Sequence, residues 1–199
     1  MPRDPEEGWQ AGRLSQLHVA DYKPFVFVDG EGVRCSLYVS GCLFACDGCF
    51  NEATWNFRYG TPYTPELEER ILADLAHESV RGLSLLGGEP FLNTQVCLSL
   101  VRRVREEFGH TKDVWCWTGY RFEEIVSAGQ TGISEDKMEL LSHLDVLVDD
   151  RFLIEQRDLT LAFRGSRNQR ILDVQESLAC GEARWRAGYN LSDMRSQSA

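Results

Sequence analysis

Residues 34–49 read RCSLYVSGCLFACDGC, and this stretch decides the fold. In its first half Cys35, Leu37 and Val39 alternate with Arg34, Ser36 and Tyr38, the period-two pattern of a strand with one apolar face. The second half breaks that period with Gly41 and then sets Cys42, Cys46 and Cys49 in C-x3-C-x2-C spacing. Glycine tolerates positive backbone dihedrals, so Gly41 and Gly48 let the loop fold tightly enough to aim three thiols at one point.

Working outward, Phe25–Asp29 reads as a strand joined to the first by the turn Gly30-Glu31-Gly32. Residues 41–62 show no steady period and form a long loop, a feature that in compact domains is commonly functional. Thr64 followed by Pro65 opens a helix with Leu67, Ile71 and Leu75 on one face. Gly82–Leu86 is a short apolar strand ending in Gly87-Gly88-Glu89-Pro90. Thr94 caps a second helix to about Phe108, with a stripe of Cys97, Leu100, Val101, Val104 and Phe108. A strand over Asp113–Thr118, helices near Arg121–Ala128 and Glu135–His143, and a strand over Val146–Asp149 follow. Leu159–Arg164 and Ile171–Val174 read as further short strands around the polar turn Gly165–Arg170. Strands alternating with helices predict an α/β fold with a parallel sheet and helical crossovers. The cysteine loop, the Gly-Gly turn, Thr118-Gly119 and Asp149-Asp150 all follow strands, so they are expected on one rim. The expected organisation is an extension over 1–20, a single compact domain over 21–175 and a polar tail over 176–199.

Three thiolates at this spacing suit an iron–sulfur cluster, which ordinarily takes four protein ligands; a missing fourth leaves one iron open to a substrate. A zinc site completed by a distant Cys or His uses the same donors, and Cys46–Cys49 alone resembles a thiol–disulfide pair. His18, His77, His110 and His143 are isolated and read as surface or core residues. Cys35, Cys97 and Cys116 fall on apolar faces and read as small hydrophobes, while Cys180 lies in the tail. The Gly-Gly-Glu-Pro turn lets a ligand approach the backbone closely, although as bare sequence it is also an ordinary turn.

Seven cysteines cannot all pair, and close spacing in a reducing compartment favours metal or redox roles. No apolar run is long enough to span a bilayer, and Met1–Gln10 is polar and acidic, so a cytoplasmic protein without membrane contact is expected. A net charge of −10 repels phosphate backbones and argues against nucleic acid. The one basic group, Arg102, Arg103 and Arg105, reads as a solvated helix face.

Together the motifs Gly41–Trp55 (GCLFACDGCFNEATW), Gly87–Pro90, Trp117–Tyr120, Val146–Asp149 and Arg164–Gln169 (RGSRNQ) resemble the radical S-adenosylmethionine enzymes. Within them the chain is similar to the glycyl-radical activases of the anaerobic ribonucleotide reductase type, in order over about residues 25–172. The resemblance implies a partial (β/α) barrel and a 4Fe-4S cluster on Cys42, Cys46 and Cys49. It also implies S-adenosylmethionine chelating the open iron, and reductive cleavage to methionine and a 5′-deoxyadenosyl radical. Gly87, Gly88 and Glu89 would then hold the methionine ammonium, Thr118 would touch the ribose, and Arg164 or Asn168 would bind the carboxylate or order the rim. Many activases carry an aromatic residue before the third cysteine; here Gly48 stands there, and Phe50 is the residue placed to contribute instead. The implied partners are the large subunit of an anaerobic ribonucleotide reductase, as protein substrate, and a small redox protein, as electron donor. Other readings are an activase of the pyruvate formate-lyase type, a small radical enzyme on a purine-like metabolite, and a non-catalytic zinc-binding adaptor. No cysteine lies between Cys49 and Cys97, so no ferredoxin-like insertion is present, which favours the short ribonucleotide reductase type.

Overall fold

The computed structural model describes residues 1–130 and 134–190. Its elements run α1 (Ala11–Leu14), β1 (His18–Val26), β2 (Val33–Val39), β3 (Thr61–Pro62), α2 (Pro65–Leu75), β4 (Val80–Gly87) and α3 (Thr94–Phe108). They continue with β5 (Asp113–Trp117), α4 (Phe122–Gln130), α5 (Glu135–Ser142), β6 (Val146–Asp149), β7 (Arg170–Asp173) and α6 (Val174–Cys180). All seven strands join one sheet in the order β3-β1-β2-β4-β5-β6-β7. The central pairs β2–β4, β4–β5 and β5–β6 are parallel, as the strand–helix alternation predicts, and the outer pairs are antiparallel. The result is a mixed α/β fold.

The alternation in β2 sorts its side chains between two layers. Cys35, Leu37 and Val39 join Leu83, Leu85, Val114, Cys116 and Leu147 under the helices. Into that layer α2 sends Ile71 and Leu75, and α3 sends Cys97, Leu100, Val101 and Val104, all without solvent exposure. A fully buried Leu or Val contributes about 1.5–3 kcal/mol, so the α3 stripe alone anchors that helix. The opposite face carries a smaller cluster of Trp115, Val146, Val148 and Ile171, packed by Trp117, Phe163 and Tyr189. There Arg34, wholly buried, pairs with Asp113 at 2.6 Å, donates to Ser84 Oγ at 2.6 Å and lies over the Trp115 ring. The charge is tolerated because the guanidinium is both paired and hydrogen-bonded.

Thr64 Oγ accepts from Leu67 N–H at 3.3 Å and Pro65 opens α2, as expected. Thr94, by contrast, does not cap α3. The cap position belongs to Asn93, whose side chain is drawn elsewhere, and the Thr94 hydroxyl donates to Asp136. The first strand begins at His18 rather than Phe25 and runs through Pro24. Proline is admitted there because β3 pairs only with His18 and Val19, which leaves β1 on the sheet edge at Pro24, beside a break in its register with β2. Leu159–Arg164 is not a strand: residues 150–169 make one irregular excursion tied by an Arg157–Ser166 bridge.

The termini are more ordered than their polarity implies. Trp9 is 5% exposed. Asp173 caps α6 through Glu176 N–H, and Arg184–Arg186 then pair back along β7. Tyr189 and Arg186 both reach Glu31 in the β1–β2 turn. Residues 191–199 of the expected tail lie outside the described residues. Each arginine of the basic group is paired, Arg102 with Glu139, Arg103 with Glu69 and Glu107, and Arg105 with Asp145. Among the described residues no helix is long and apolar enough to cross a membrane.

Candidate metal and cofactor site

Parallel pairing places the C-terminal ends of β2, β4, β5 and β6 on one rim. Main-chain bonds stitch the first two ends together. Gly88 N–H donates to Val39 O and Glu89 N–H to Gly41 O, both at 2.8 Å, so the Gly-Gly turn lies directly against the start of the cysteine loop. Side chains are excluded from this seam. A Cβ on Gly88 would sit 2.6 Å from Gly41 O, and one on Gly41, whose φ is +105°, would sit 2.0 Å from the Phe57 ring.

The third strand end is held by Glu89. Its carboxylate accepts from Phe91 N–H at 3.0 Å, Thr118 Oγ at 2.8 Å and Gly119 N–H at 2.8 Å, so the Trp117–Tyr120 turn is bound to the Gly-Gly turn. Glu89 is 1% exposed, and burial raises it to about 7 against the opposing pull of these donors.

A cavity of about 150 Å³ opens between these turns. Cys42, Cys46 and Cys49 line it together with Gly87, Gly88, Glu89 and Thr118. Burial pushes the Cys42 thiol well up, with the Glu89 carboxylate adding to the effect, and burial also takes Cys46 up to about 11. A cation reverses that balance, because a coordinated thiol is deprotonated outright. Asn51 N–H points at Cys49 Sγ at 3.4 Å, the kind of hydrogen bond to sulfur that tunes metal–thiolate centres. Three soft donors on one open cavity, one already hydrogen-bonded by the backbone, fit an iron–sulfur cluster. Among the described residues no three His, Cys, Asp or Glu side chains close into a single-ion cage.

Four residues named from the sequence stand elsewhere. Gly48, at φ +71°, turns its back on the cavity towards Ile154. Phe50 is 61% exposed, packs edge-on against Phe152 at 5.3 Å and lines an adjoining groove. Arg164 lines the same groove, lies over the Trp185 ring and donates to Gln169 O. Asn168 donates to Arg151 O at 2.8 Å and so ties the ends of the 150–169 excursion together. Conversely, Trp117, Asp150, Phe152 and Gln169 line the cavity, a role that sequence reasoning misses for their side chains. Asp150 carries a signal in its place after a strand, and its φ of +78° is uncommon outside glycine.

The remaining cysteines are separate from the cavity. Cys35, Cys97 and Cys116 are fully buried in the helical core, and Cys180 is exposed beside Arg184, whose Nε donates to its sulfur. Cys97→Ala is therefore expected to lose about 1 kcal/mol of stability, as for other one-atom core truncations, while bound iron per chain is unchanged. Parallel chemical unfolding and iron assay check this, and loss of iron would place Cys97 among the ligands.

Comparison with known proteins agrees with this geometry. The family model described as a 4Fe-4S single cluster domain matches residues 28–172. The anaerobic ribonucleoside-triphosphate reductase-activating protein of Vibrio cholerae is 44% identical over 157 residues, covering 77% of this chain and 96% of that protein. The proteins of the same name from Salmonella typhi and Escherichia coli K12 are 41% and 40% identical, covering 74% and 77% of this chain and 93% and 96% of their own lengths. With three cysteines on one cavity and a match of that extent, the chain belongs to the 4Fe-4S single-cluster family, among the anaerobic ribonucleoside-triphosphate reductase-activating proteins.

Proposed function

We propose that this protein is a radical S-adenosylmethionine activase that installs a glycyl radical on the large subunit of an anaerobic ribonucleoside-triphosphate reductase, using an electron from a small redox protein. The observation that carries the reading is the convergence of Cys42, Cys46 and Cys49 with Gly87-Gly88-Glu89 on one cavity, in a chain of the activating-protein family. In this reading the catalytic domain spans about residues 21–175, extended at its two ends by the rest of β1 and α6, and the sheet corresponds to a partial (β/α) barrel whose rim carries the chemistry.

Cys42, Cys46 and Cys49 would hold the cluster, with S-adenosylmethionine bound beside them. When bound, these groups supply a reducing electron and a carbon radical able to take hydrogen from a glycine Cα. The chain's own residues position and shield. Gly87 and Gly88 present bare backbone beside the thiols, and Glu89 fixes Thr118 and Gly119 across the cavity. Trp117 is anchored by its indole N–H to Phe163 O at 2.8 Å and gives the cavity an apolar wall, as Phe152 does. Arg164 and Asn168 order the rim through the 150–169 excursion.

A macromolecular substrate suits the surroundings. A groove of about 570 Å³ shares Leu86, Trp117, Phe152 and Gln169 with the cysteine cavity and opens between Val28 and Leu159, each 72% exposed. With Phe50 they form an apolar collar, the kind of exposed patch that marks a protein contact. Leu159→Asp is expected to cut glycyl-radical yield about tenfold, the cost of a ~1.4 kcal/mol contact, and to leave reductive cleavage of S-adenosylmethionine intact. Equal loss of both activities would count against the groove as the docking route.

The test of the whole reading combines anaerobically reconstituted protein, a reductant, S-adenosylmethionine and the reductase large subunit. A glycyl-radical doublet by electron paramagnetic resonance, with methionine and 5′-deoxyadenosine as products, is the expected result. A colourless, air-stable protein holding one zinc would overturn it.

A further inference from the structure

We infer that the N-terminal segment Met1–Leu14 is a strap that sets the cysteine loop in its cluster-binding shape before iron arrives. Its target is Phe44, which stands between Cys42 and Cys46 and is 1% exposed. Trp9 meets the Phe44 ring edge-on at 5.2 Å, Tyr120 does the same at 5.0 Å, and the Arg151 guanidinium lies 5.2 Å over it. Arg3 N–H donates to Phe44 O at 2.8 Å, so both the ring and the backbone of this residue are held.

The strap is itself fastened at several points. Arg151 donates to Arg3 O at 3.3 Å and pairs with Asp4 at 3.4 Å and Glu124 at 2.9 Å. The buried Lys137 ammonium donates to Trp9 O at 2.8 Å and to Ser134 Oγ at 3.3 Å. Immediately after the strap, Ser15 Oγ donates to Asn93 Oδ1 at 2.9 Å, and Asn93 Nδ2 donates to Glu89 O at 3.0 Å. The segment and the residue that follows it thus reach both the cysteine loop and the Gly-Gly-Glu-Pro turn. The Met1–Asp47 ion pair is exposed at both ends and contributes little.

Such a strap answers a need of the loop. Residues 41–49 have no helix or strand, and Gly41, Ala45 and Gly48 all take positive φ. For alanine that conformation costs about 1–2 kcal/mol, and each ordered residue costs a further ~1–2 kcal/mol of backbone entropy. Ligands held in place before the metal binds avoid meeting those costs at the moment of binding. The family match begins at residue 28, so the strap lies wholly outside it.

This inference rests on the three cysteines being the cluster ligands, and its test separates the two ideas. Amide hydrogen exchange is measured on full-length metal-free protein, wild type against Trp9→Ala and Trp9→Phe, with a variant lacking residues 2–9 as a second probe. Each is then reconstituted anaerobically with iron and sulfide and challenged with a ferrous chelator while the cluster absorbance is followed. In Trp9→Ala the amides of Cys42, Cys49 and Asn51 are expected to exchange faster while those of β2, β4 and β5 do not. Its iron is expected to leave about fivefold faster, equivalent to about 1 kcal/mol, and Trp9→Phe is expected to recover most of the loss. Unchanged loop exchange and iron retention would overturn the inference, as would faster exchange spread evenly through β2, β4 and β5, which would make the segment a general stabiliser. Failure of the wild type to take up iron would sink the cluster reading instead, and the exchange comparison would still decide the strap.

Discussion

Cys46→Ala is expected to lower bound iron from about four per chain to near zero and to abolish glycyl-radical formation, as are Cys42→Ala and Cys49→Ala. The loss should exceed the ~10–100-fold typical of removing an outer-shell partner of a metal ligand, because a corner of the cluster itself is released. The three thiols share one cavity, and the carboxylates that line it with them, Glu89 and Asp150, are harder donors than the sulfur that is lost. The chain carries its own controls. Cys35, Cys97 and Cys116 are fully buried beneath the helices, and their alanine variants should keep full iron and differ only in stability. Iron and sulfide assays with absorbance spectra across all six variants separate the classes. A loop variant that retains four irons and activity would remove the basis of the proposed function.

Legibility follows periodicity and punctuation. The cysteine loop, the Gly-Gly-Glu-Pro turn and Trp117–Tyr120 stand at the ends of apolar runs, so the order of strands and helices along the chain is enough to bring them to one rim. The α3 stripe is readable for the same reason. What stays hidden depends on tertiary contacts that leave no periodic trace. Gln169 and Phe152 reach the cavity from an irregular excursion with neither helical nor strand spacing. Thr118, expected at the ribose, has a hydroxyl bound to Glu89, a partner 29 residues away. Trp9, one aromatic in an acidic, proline-broken segment, gives no sequence sign that it packs against Phe44. Pro24 argues against a strand that the sheet accommodates at its edge.

Glu89→Ala is expected to cost the metal-free protein about 2–6 kcal/mol, since the N–H groups of Phe91 and Gly119 would each lose a buried acceptor worth about 1–3 kcal/mol. The Thr118 hydroxyl loses the same partner but can rotate to find another. The penalty carries a pH signature with a definite sign. Burial raises Glu89 from 4.5 to about 7 in the folded protein, so between those values the folded state binds the proton that the unfolded state has released. Wild-type stability from this group is therefore fully present below about pH 4.5 and declines as pH rises through about 7, whereas alanine has nothing to titrate. The gap between wild type and variant should accordingly narrow from about pH 5 to about pH 8, which span the folded value of about 7. Denaturant unfolding at those two conditions measures it. A gap that is absent, or that widens with pH, would show that the carboxylate is not the buried latch between the two turns. Because the variant keeps Cys42, Cys46 and Cys49, it should still take up iron while S-adenosylmethionine cleavage falls. That outcome would separate the role proposed for Glu89 from that proposed for the three cysteines.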